Sequence, residues 1–351
     1  MSQILINNKV YSYSDIQIGK HKPKTTDEYQ VFKFIKAWLD GQMEFVVSTS
    51  GSTGKPKPIT ISRNQMILSA QKTGAFLGLK KGNTTLVCLS PDHIAGKMML
   101  VRTLVLGLKA TFITPSANPY KQLIGAYDLV ALVPLQVQNI LKNKISSQLF
   151  YKTKNILIGG APLLYKLERK LSGATNQIYH TYGMTETVSH VALKNISKGE
   201  KTYKAIPGML FSNDSRGCLK ITNPMFNPKT LQTNDVITLI SDTSFIWKGR
   251  ADFIINTGGI KIQIEVLELQ IQEILTSIDL SCDFFIFPQE DELLGQKVCL
   301  AITIKNFKLA DLLKRSLPQF HNPKSIFVLN NFIYNKSGKL DRKACIEKIQ
   351  S

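Results

Sequence analysis

Residues 85–115 read TLVCLSPDHIAGKMMLVRTLVLGLKATFITP, and this stretch decides the fold class. A short apolar run comes first, a longer apolar segment long enough for a helix follows, and a second short run ends the stretch. Two short strands joined by a helix form a βαβ unit, in which the strands are parallel and the helix covers one face of the sheet. The stretch therefore predicts an α/β fold.

The same alternation continues on both sides of this unit. Residues 45–50 (FVVSTS) resemble a buried strand, and residues 61–79 carry apolar side chains at helical spacing. Further along, residues 129–134 (LVALVP) and 155–160 (NILIGG) are strand-like runs, and each leads into a helical segment. Strands that alternate with helices predict a parallel sheet with helices on both faces.

The pattern changes past residue 205. Three strand-like runs, GCLKIT, DVITLIS and SFIWKGR, follow one another with no helix between them, and a second pattern of helices and strands begins near residue 252. We therefore expect a large N-terminal domain over residues 1–251, with mainly parallel sheets flanked by helices plus a short β-rich subdomain. Residues 252–351 are expected to form a small, mobile C-terminal α+β domain.

Composition limits the class of protein. The chain has 351 residues, of which 43% are hydrophobic and 20% charged, as in globular proteins with a core. No window reaches the ~18 apolar residues that a membrane helix needs, so no stable membrane insertion is expected. The first residues lack a basic region followed by an apolar run, so no export signal is expected. Five scattered cysteines without a CxxC pair predict neither a zinc site nor a disulfide framework, and favour a cytoplasmic location.

The net charge of +19 favours anionic partners such as nucleic acid, anionic lipid, nucleotides or carboxylates. A lysine-rich solvated surface without a specific partner accounts for the same charge. The sequence contains no zinc finger, no aromatic–basic RNA motif and no basic heptad region. A nucleic-acid partner is therefore not expected.

Residues 48–58 read STSGSTGKPKP, a glycine-rich loop suited to phosphate. A P-loop NTPase requires G-x-x-x-x-G-K-[ST], but Gly51 and Gly54 are too close together, and Pro56 follows Lys55 where the helix would begin. The loop keeps its hydroxyl groups, backbone N–H donors and two lysines, which together can enclose a polyphosphate. Taken alone, the segment is also compatible with an ordinary surface loop.

Four further motifs follow the loop in order. They are YGMTET at residues 182–187, GCLKITNP with Thr-Asn-Asp at 217–235, GRADFIINTGGIKIQIEVLE at 249–268 and NKSGKLDR at 335–342. The order and spacing of the five motifs, over about residues 45–345, resemble the adenylate-forming superfamily. That superfamily comprises acyl- and aryl-CoA ligases, the adenylation domains of peptide synthetases, and luciferases.

The resemblance implies a nucleotide site. The loop would hold the β- and γ-phosphates of ATP, Tyr182 would stack on adenine, and Asp235 would accept hydrogen bonds from the ribose hydroxyls. Arg250 would be a cation near the ribose and phosphate. The full set of residues that the resemblance implies for ATP and AMP binding is Thr49, Ser50, Gly51, Ser52, Thr53, Gly54, Lys55, Lys57, Gly159, Gly160, Ala161, Tyr182, Gly183, Asp235 and Arg250.

The resemblance also implies catalytic and conformational roles. Thr185 would contact the α-phosphate, and Glu186 would bind Mg²⁺, a hard cation that takes carboxylate and phosphate oxygens. Lys339 matches a mobile lysine of the small domain, and His93 lies where the family has a residue beside the acyl pocket. Asp252 would be the hinge of the small domain.

The implied cofactor is Mg²⁺, with ATP and CoA as co-substrates. Gly258 and Gly259 would line the tunnel for the pantetheine arm of CoA.

Within the superfamily, the compact chain most resembles the bacterial o-succinylbenzoate–CoA ligases of menaquinone biosynthesis. The second carboxylate of that aromatic acid requires a cation or several donors, for which Lys97 and Arg102 are candidates. Another acyl- or aryl-CoA ligase, or an aryl-adenylating enzyme that loads a carrier protein, remains an alternative. A non-catalytic basic protein of the same fold is disfavoured because Lys339, Glu186 and Asp235 are all present. A homodimer is compatible with the resemblance.

Overall fold

A computed structural model describes residues 3–48, 58–123, 125–163, 165–226, 228–280, 282–304, 309–334 and 340–350. The strands and helices of this part, in chain order, are β1 (Gln3–Ile6), β2 (Lys9–Ser12), α1 (Tyr13–Gln17), α2 (Thr26–Leu39), β3 (Glu44–Ser48), β4 (Pro58–Ser62), α3 (Arg63–Leu77), β5 (Thr84–Val87), α4 (Ile94–Leu106), β6 (Lys109–Phe112), β7 (Leu129–Leu132), α5 (Pro134–Lys142), α6 (Lys144–Lys152), β8 (Asn155–Ile158), α7 (Tyr165–Leu171), β9 (Gln177–Gly183), β10 (His190–Asn195), β11 (Tyr203–Ala205), β12 (Leu210–Asn213), β13 (Cys218–Thr222), β14 (Thr230–Ser241), β15 (Ser244–Arg250), β16 (Ile254–Thr257), β17 (Ile260–Gln263), α8 (Ile264–Ser277), β18 (Phe284–Asp291), β19 (Gly295–Ile302), α9 (Leu309–Ser316), β20 (Ser325–Val328) and α10 (Arg342–Gln350).

The large sheet has thirteen strands in the order β12-β13-β14-β15-β11-β10-β9-β8-β7-β5-β6-β1-β2. Strands β1, β6, β5, β7, β8 and β9 are parallel to their neighbours within this set. The βαβ unit predicted from residues 85–115 is present as β5, α4 and β6. The α/β fold class is therefore confirmed.

Beyond β9 the same sheet continues with antiparallel pairs through β10, β11, β15, β14, β13 and β12. The connections between consecutive strands here are short, and short connections can join only antiparallel strands. The β-rich part expected past residue 205 is thus an extension of the large sheet. Two hydrophobic clusters pack on this sheet, one of which contains Phe245 and Met66, the other Tyr120 and Phe150.

The strand predicted at residues 45–50 is β3, but it pairs antiparallel with β4 in a separate two-stranded sheet. The helix predicted from residue 61 begins later, at Arg63. Its start is set by a capping box, because the Ser62 hydroxyl accepts from the Gln65 backbone N–H while the Gln65 side chain accepts from the Ser62 N–H.

A second sheet follows Arg250, with the strand order β17-β16-β19-β18 and β20 beside β19. Helix α8 packs on it through apolar residues at helical spacing, among them Leu267, Ile271 and Leu275. The last strand of the large sheet ends at Arg250, and the first of this sheet begins at Ile254. In the described ranges, no helix is both long and apolar enough to cross a bilayer.

Candidate active site

Candidate residues collect where the parallel strands end. Strands β8 and β9 are adjacent and parallel, so their carboxyl ends lie at the same edge of the sheet. The loop at Gly159–Ala161 follows β8, and the turn that carries Thr185 and Glu186 follows β9. The segment leading to His93 follows β5, which is separated from β8 by β7 in the same parallel set. Ligands of open α/β sheets bind outside this edge.

The turn between β9 and β10 is closed by its own hydrogen bonds. The Thr187 hydroxyl lies 2.9 Å from the Met184 N–H, which donates to it, and 2.7 Å from the Ser189 carbonyl, which accepts from it. A side chain at Gly183 would collide with the Ser189 carbonyl oxygen, since a Cβ there would lie only 2.4 Å from it. The compact turn leaves Thr185 half-buried and Glu186 exposed at the sheet edge.

Asp235 is buried and is held by two side chains. The Tyr182 hydroxyl donates to Asp235 Oδ2 at 2.6 Å, and the Trp247 indole N–H donates to Oδ1 at 3.1 Å. The backbone N–H of Asp235 donates to the Thr233 hydroxyl at 3.0 Å. Burial, reinforced by the Asp235 carboxylate, raises the pKa of Tyr182 well above its ordinary value, so this hydroxyl keeps its proton. The motifs around residues 182 and 235 therefore meet in space, as the resemblance implies.

Arg250 lies opposite Asp235 in the register of β14 and β15. Its guanidinium makes a bidentate ion pair with Asp252, with Nε 2.9 Å from Oδ1 and a terminal nitrogen 2.7 Å from Oδ2. Partial burial by itself raises the pKa of Asp252, but the hydrogen bonds from Arg250 outweigh this, and the net shift is downward. The implied phosphate-side cation and the implied hinge residue are thus bonded to each other.

The loop at Gly159–Ala161 is packed tightly against β9. A Cβ at Gly159 would lie 2.2 Å from the Thr181 hydroxyl oxygen, and Gly160 has a positive φ of 81°, which favours glycine. The Ala161 carbonyl oxygen is 3.3 Å from Nε2 of His180, a buried histidine of β9. Glycine is therefore required at position 159 by the close approach of Thr181 in β9, and it is favoured at position 160 by the backbone conformation.

The candidates for the acid pocket lie on α4. His93 is the exposed residue that precedes the helix, and its side chain makes no capping hydrogen bond. Lys97 is half-buried, and burial lowers its pKa. Arg102 is 2% exposed and donates to the Ser189 hydroxyl at 2.7 Å. No carboxylate of the described residues pairs with Arg102, and its Nε has no hydrogen-bond partner among them.

Gly258 and Gly259 form the two-residue turn between β16 and β17, with Thr257 opposite Ile260. Their φ values are 56° and 80°, the double positive φ of a type I′ hairpin turn. The turn geometry by itself accounts for both glycines. Their place in a CoA tunnel stays a prediction.

Several predicted residues lie outside the part of the chain that the structure describes. These are Lys339 and the loop residues Thr49, Ser50, Gly51, Ser52, Thr53, Gly54, Lys55 and Lys57. Their implied roles stay predictions.

An Mg²⁺ ion is compatible with the donors present. The Glu186 carboxylate is exposed and makes no hydrogen bond or ion pair with the other described residues. Among those residues, no group of three or more His, Cys, Asp or Glu side chains could hold a metal. An ion held by the Glu186 carboxylate would share its coordination with substrate phosphates, which is a common arrangement for Mg²⁺.

Three residues of the site were not predicted from the sequence: Trp247, Ser189 and His180. Each lies within two or three residues of a predicted one, and Trp247 is one of two tryptophans in the chain. The alternation of side chains along a strand predicts the face of β15 on which Trp247 lies, but it does not predict that Trp247 contacts Asp235. Pairing across strands is a property of the register, which spacing alone does not specify.

The chain belongs to the AMP-binding enzyme family, whose profile matches residues 16–215. It is 38% identical to a solved acyl-CoA synthetase (AMP-forming)/AMP-acid ligase II-like protein from Dyadobacter fermentans, with 95% of this chain and 97% of that chain covered and a TM-score of 0.64.

It is 27% identical over 337 residues to a Mycobacterium tuberculosis protein named "Probable 2-succinylbenzoate--CoA ligase", covering 88% of this chain and 85% of that protein. The o-succinylbenzoate CoA synthetase of Bacillus subtilis, solved with the acyl-adenylate OSB-AMP, has the same fold. Its TM-score is 0.80 at 17% identity, over 98% of this chain and 95% of that one.

Proposed function

We propose that the protein is an AMP-forming acid–thiol ligase that converts o-succinylbenzoate, ATP and CoA into o-succinylbenzoyl-CoA, AMP and diphosphate, a step of menaquinone biosynthesis. The observation that carries this proposal is the similarity, along most of the chain, to relatives named 2-succinylbenzoate–CoA ligase in several bacteria. Another acyl- or aryl-CoA ligase, or an enzyme that loads a carrier protein, is the alternative.

The nucleotide would lie across the carboxyl edge of the parallel strands. Its ribose hydroxyls would donate to Asp235, whose carboxylate Tyr182 and Trp247 already orient. Each carboxylate oxygen has a second lone pair, so ribose can bind without displacing either side chain. The adenine would lie between Tyr182 and the Gly159–Ala161 loop. Gly183 would let the strand pass close to the nucleotide.

The first half-reaction joins a carboxylate oxygen of the acid to the α-phosphorus of ATP, and the bond to pyrophosphate breaks. The attacking and leaving oxygens are both anionic, so charge and positioning make up most of the barrier. Lys339, Thr185 and the loop over residues 49–57 would supply donors to this charge. Bound Mg²⁺, held by Glu186, would neutralise phosphate charge. His93 would border the acyl group.

In the second half-reaction the CoA thiol attacks the acyl carbonyl, and AMP leaves. Lys339 and the thiol would need the same space. We therefore retain the proposal that residues 252–351 form a domain distinct from residues 1–251, and that this domain rotates about Asp252. The rotation would withdraw Lys339 and bring Gly258 and Gly259 to the thiol path.

Arg102 supports an acid with a second carboxylate. A buried guanidinium without an ion-pair partner is costly, and an anionic ligand group would offset that cost. Its hydrogen bond to Ser189 joins it to the end of the turn that carries Thr185 and Glu186. Lys97 is the second cation that we assign to this pocket. We also propose a cytoplasmic location; a homodimer is compatible with the resemblance.

The test is ATP–pyrophosphate exchange with o-succinylbenzoate and a panel of aromatic and aliphatic acids. Exchange that depends on o-succinylbenzoate is expected. Exchange with another acid but not with this one would disprove the substrate while the ligase class survives. Thioester formation with free CoA alone then separates a CoA ligase from an enzyme that requires a carrier protein.

A further inference from the structure

Arg102 and His190 are two buried basic side chains near the start of β10. Arg102, on α4, is 2% exposed, and His190, the first residue of β10, is 8% exposed. The Arg102 guanidinium donates to the hydroxyl of Ser189, which directly precedes His190 in the chain. Helices α3 and α4 touch in this region, since a Cβ at Gly74 would lie 2.9 Å from side-chain atoms of Leu106. The two basic groups therefore lie at the same end of β10, where α3 and α4 cover the strand.

A single hydrogen bond holds the ring of His190 and fixes its tautomer. Nε2 lies 3.0 Å from the Thr73 hydroxyl on α3, and that hydroxyl donates to the Ser69 carbonyl oxygen at 3.0 Å. A hydroxyl has one hydrogen, so Thr73 accepts from His190, and Nε2 carries the N–H. In the neutral ring Nδ1 is then an acceptor. Among the described residues, Nδ1 has no hydrogen-bond partner.

The Arg102 guanidinium also has unused donors. Within the part of the chain that the structure describes, its acceptors are the Ser189 hydroxyl and the Met99 sulfur at 3.7 Å, and its Nε–H has none. A buried cation with so few acceptors is costly. An anionic ligand group beside Arg102 would supply the missing acceptors.

The charges around His190 favour its neutral form when no ligand is bound. Burial, and in addition the positive charge of Arg102, lower the pKa of His190 well below its ordinary value. Helix α3 presents the neutral Thr73 hydroxyl to the ring. The ammonium of Lys72, the preceding residue of α3, lies beside Gly208, where a Cβ would be 2.9 Å from it. Arg102 is thus the charged group of the described residues that acts on His190.

A carboxylate bound beside Arg102 would change the state of His190. The neutral ring presents a lone pair at Nδ1, and a lone pair repels a carboxylate oxygen. An opposite charge nearby favours the charged form of a histidine, so the carboxylate would promote protonation of Nδ1. The imidazolium could then donate to the carboxylate together with the Arg102 Nε–H, and bonds between ionised groups are the stronger hydrogen bonds.

We propose that His190 is a specificity-determining residue that binds the second carboxylate of the acid together with Arg102 and takes up one proton from solvent as the acid binds. The proton adds to Nδ1, and no other bond forms or breaks in this step. An acid without the second carboxylate would leave the ring neutral. The inference rests on the proposed function, which supplies an acid with two carboxylates.

The proton uptake is measured by titration calorimetry of the wild-type protein with o-succinylbenzoate. The protein is saturated with α,β-methylene-ATP, which cannot be adenylated, and the titration is run in phosphate and in Tris at about pH 7, where both carboxyl groups of the acid are ionised. The difference in heat between two buffers of known ionisation enthalpy gives the number of protons taken up. The control ligand is 4-oxo-4-phenylbutanoate, the same keto acid without the carboxylate on the ring.

The wild type is expected to take up about one proton per bound o-succinylbenzoate and none with the control ligand. His190→Gln keeps an amide N–H for Thr73 but cannot titrate. It should abolish the uptake and raise Kd for o-succinylbenzoate about tenfold or more, with little change for the control ligand. His321→Gln, in the second sheet's part of the chain, where the ring lies near Gln270, should leave the uptake unchanged.

Thr73→Val is a second variant that separates the tautomer from the ring itself. Without the Thr73 acceptor, the neutral ring can carry its hydrogen on Nδ1 and donate to the carboxylate without taking up a proton. The uptake should therefore fall, while Kd for o-succinylbenzoate should rise less than in His190→Gln.

The wild-type measurement tests the inference even if the variants do not fold. Binding of o-succinylbenzoate without proton uptake, or with the same uptake for the control ligand, would overturn the inference alone. The wild-type uptake retained in His190→Gln would overturn it as well, because the proton would then bind elsewhere. A wild-type protein that does not bind o-succinylbenzoate would overturn the proposed function, and this inference with it.

Discussion

Asp235 shows how a single charged residue is prepared for a ligand. Its carboxylate is buried, and burying an ionised group is costly unless hydrogen bonds compensate. Tyr182 and Trp247 provide one bond to each oxygen, so the carboxylate has a defined orientation before any nucleotide binds. Such an orientation reduces the ordering cost of binding.

Trp247→Phe keeps an aromatic ring and removes the indole N–H. We expect KM for ATP to rise about tenfold or more, since one hydrogen bond to a charged group contributes about 1.5 kcal/mol or more. The preference for ATP over 2′-deoxy-ATP should fall, which a general loss of stability would not cause. Steady-state kinetics with both nucleotides is the measurement. Trp38→Phe, in the other tryptophan, is the control, and equal effects of the two changes would contradict the role of Trp247.

Arg102 is the residue on which the acid proposal can be tested. In Arg102→Met the guanidinium is lost and much of the side-chain volume remains. KM for o-succinylbenzoate should rise about 100-fold, as for the loss of a charge-assisted bidentate contact, whereas a monocarboxylate such as benzoate should be affected much less. The comparison of the two acids in pyrophosphate exchange is decisive. An equal loss with both would mean that Arg102 only supports the turn at Ser189.

His180 makes stability depend on pH. Burial, with Lys194 nearby, lowers its pKa from 6.5 to about 4, so the unfolded chain binds the proton more readily than the folded one. The contribution of the neutral ring is present above pH 6.5 and is lost as the pH falls towards 4. The loss is on the order of 3 kcal/mol.

The contribution of His180 to the free energy of unfolding is measured by denaturant unfolding of the wild type and of His180→Gln. The two proteins are compared at about pH 7.5 and about pH 4.5, above and below the ordinary pKa of histidine. The difference in unfolding free energy between the two proteins should shrink or reverse in acid. A constant difference would show that His180 does not titrate in this range.

At the scale of elements, helix α4 is placed by contact with the segment before it. A Cβ at Gly96 would lie 2.2 Å from the Ser90 carbonyl oxygen and 2.6 Å from that of Leu89, both backbone atoms. The first turn of α4 can therefore pack against Leu89 and Ser90, which follow β5, only with glycine at this position. Through this contact the start of α4, with His93 and Lys97, lies close to the carboxyl end of β5. Further along the helix, Arg102 donates to the Ser189 hydroxyl.

Gly96→Ala should destabilise the protein by about 1–3 kcal/mol, because a side chain forced into packed backbone must shift its neighbours. KM for the acid should rise as well, since the shift moves the helix that carries Lys97 and Arg102. Thermal unfolding measures the loss of stability, and the kinetics of ATP–pyrophosphate exchange measure KM for the acid. Gly125→Ala is the control, because a Cβ there meets no atom within 4 Å and the φ is not positive. A Gly96→Ala protein as stable as this control would refute the packing argument.

At the scale of the whole molecule, the two sheets are connected through residues 251–253. The Gln263 side chain, in the second sheet, donates to the Arg250 carbonyl at the end of the large one. Arg250 is also paired with Asp252. A rotation about Asp252 would have to change the Gln263–Arg250 hydrogen bond and the Arg250–Asp252 ion pair. The proposed hinge residue is therefore itself a member of the network that the rotation would disrupt.

Lys339→Ala tests the two-step account. Adenylation should fall by about 100-fold or more, as for the removal of a donor to transition-state charge. Thioester formation from pre-made acyl-adenylate should be nearly intact, because the lysine would act only in the first step. Lys343→Ala, an exposed lysine of α10, is the control. Equal loss in both half-reactions would contradict the proposed rotation.

The sequence by itself determined the α/β class, the motif order and most of the residues assigned to the nucleotide. Those features depend on local periodicity and on residue type at fixed spacing. Only the tertiary structure decided that the β-rich part continues the large sheet, that Tyr182 and Trp247 orient Asp235, and that Arg102 reaches Ser189. These contacts join residues 12 to 87 positions apart, and such contacts depend on strand register and helix packing. Composition and spacing do not specify either.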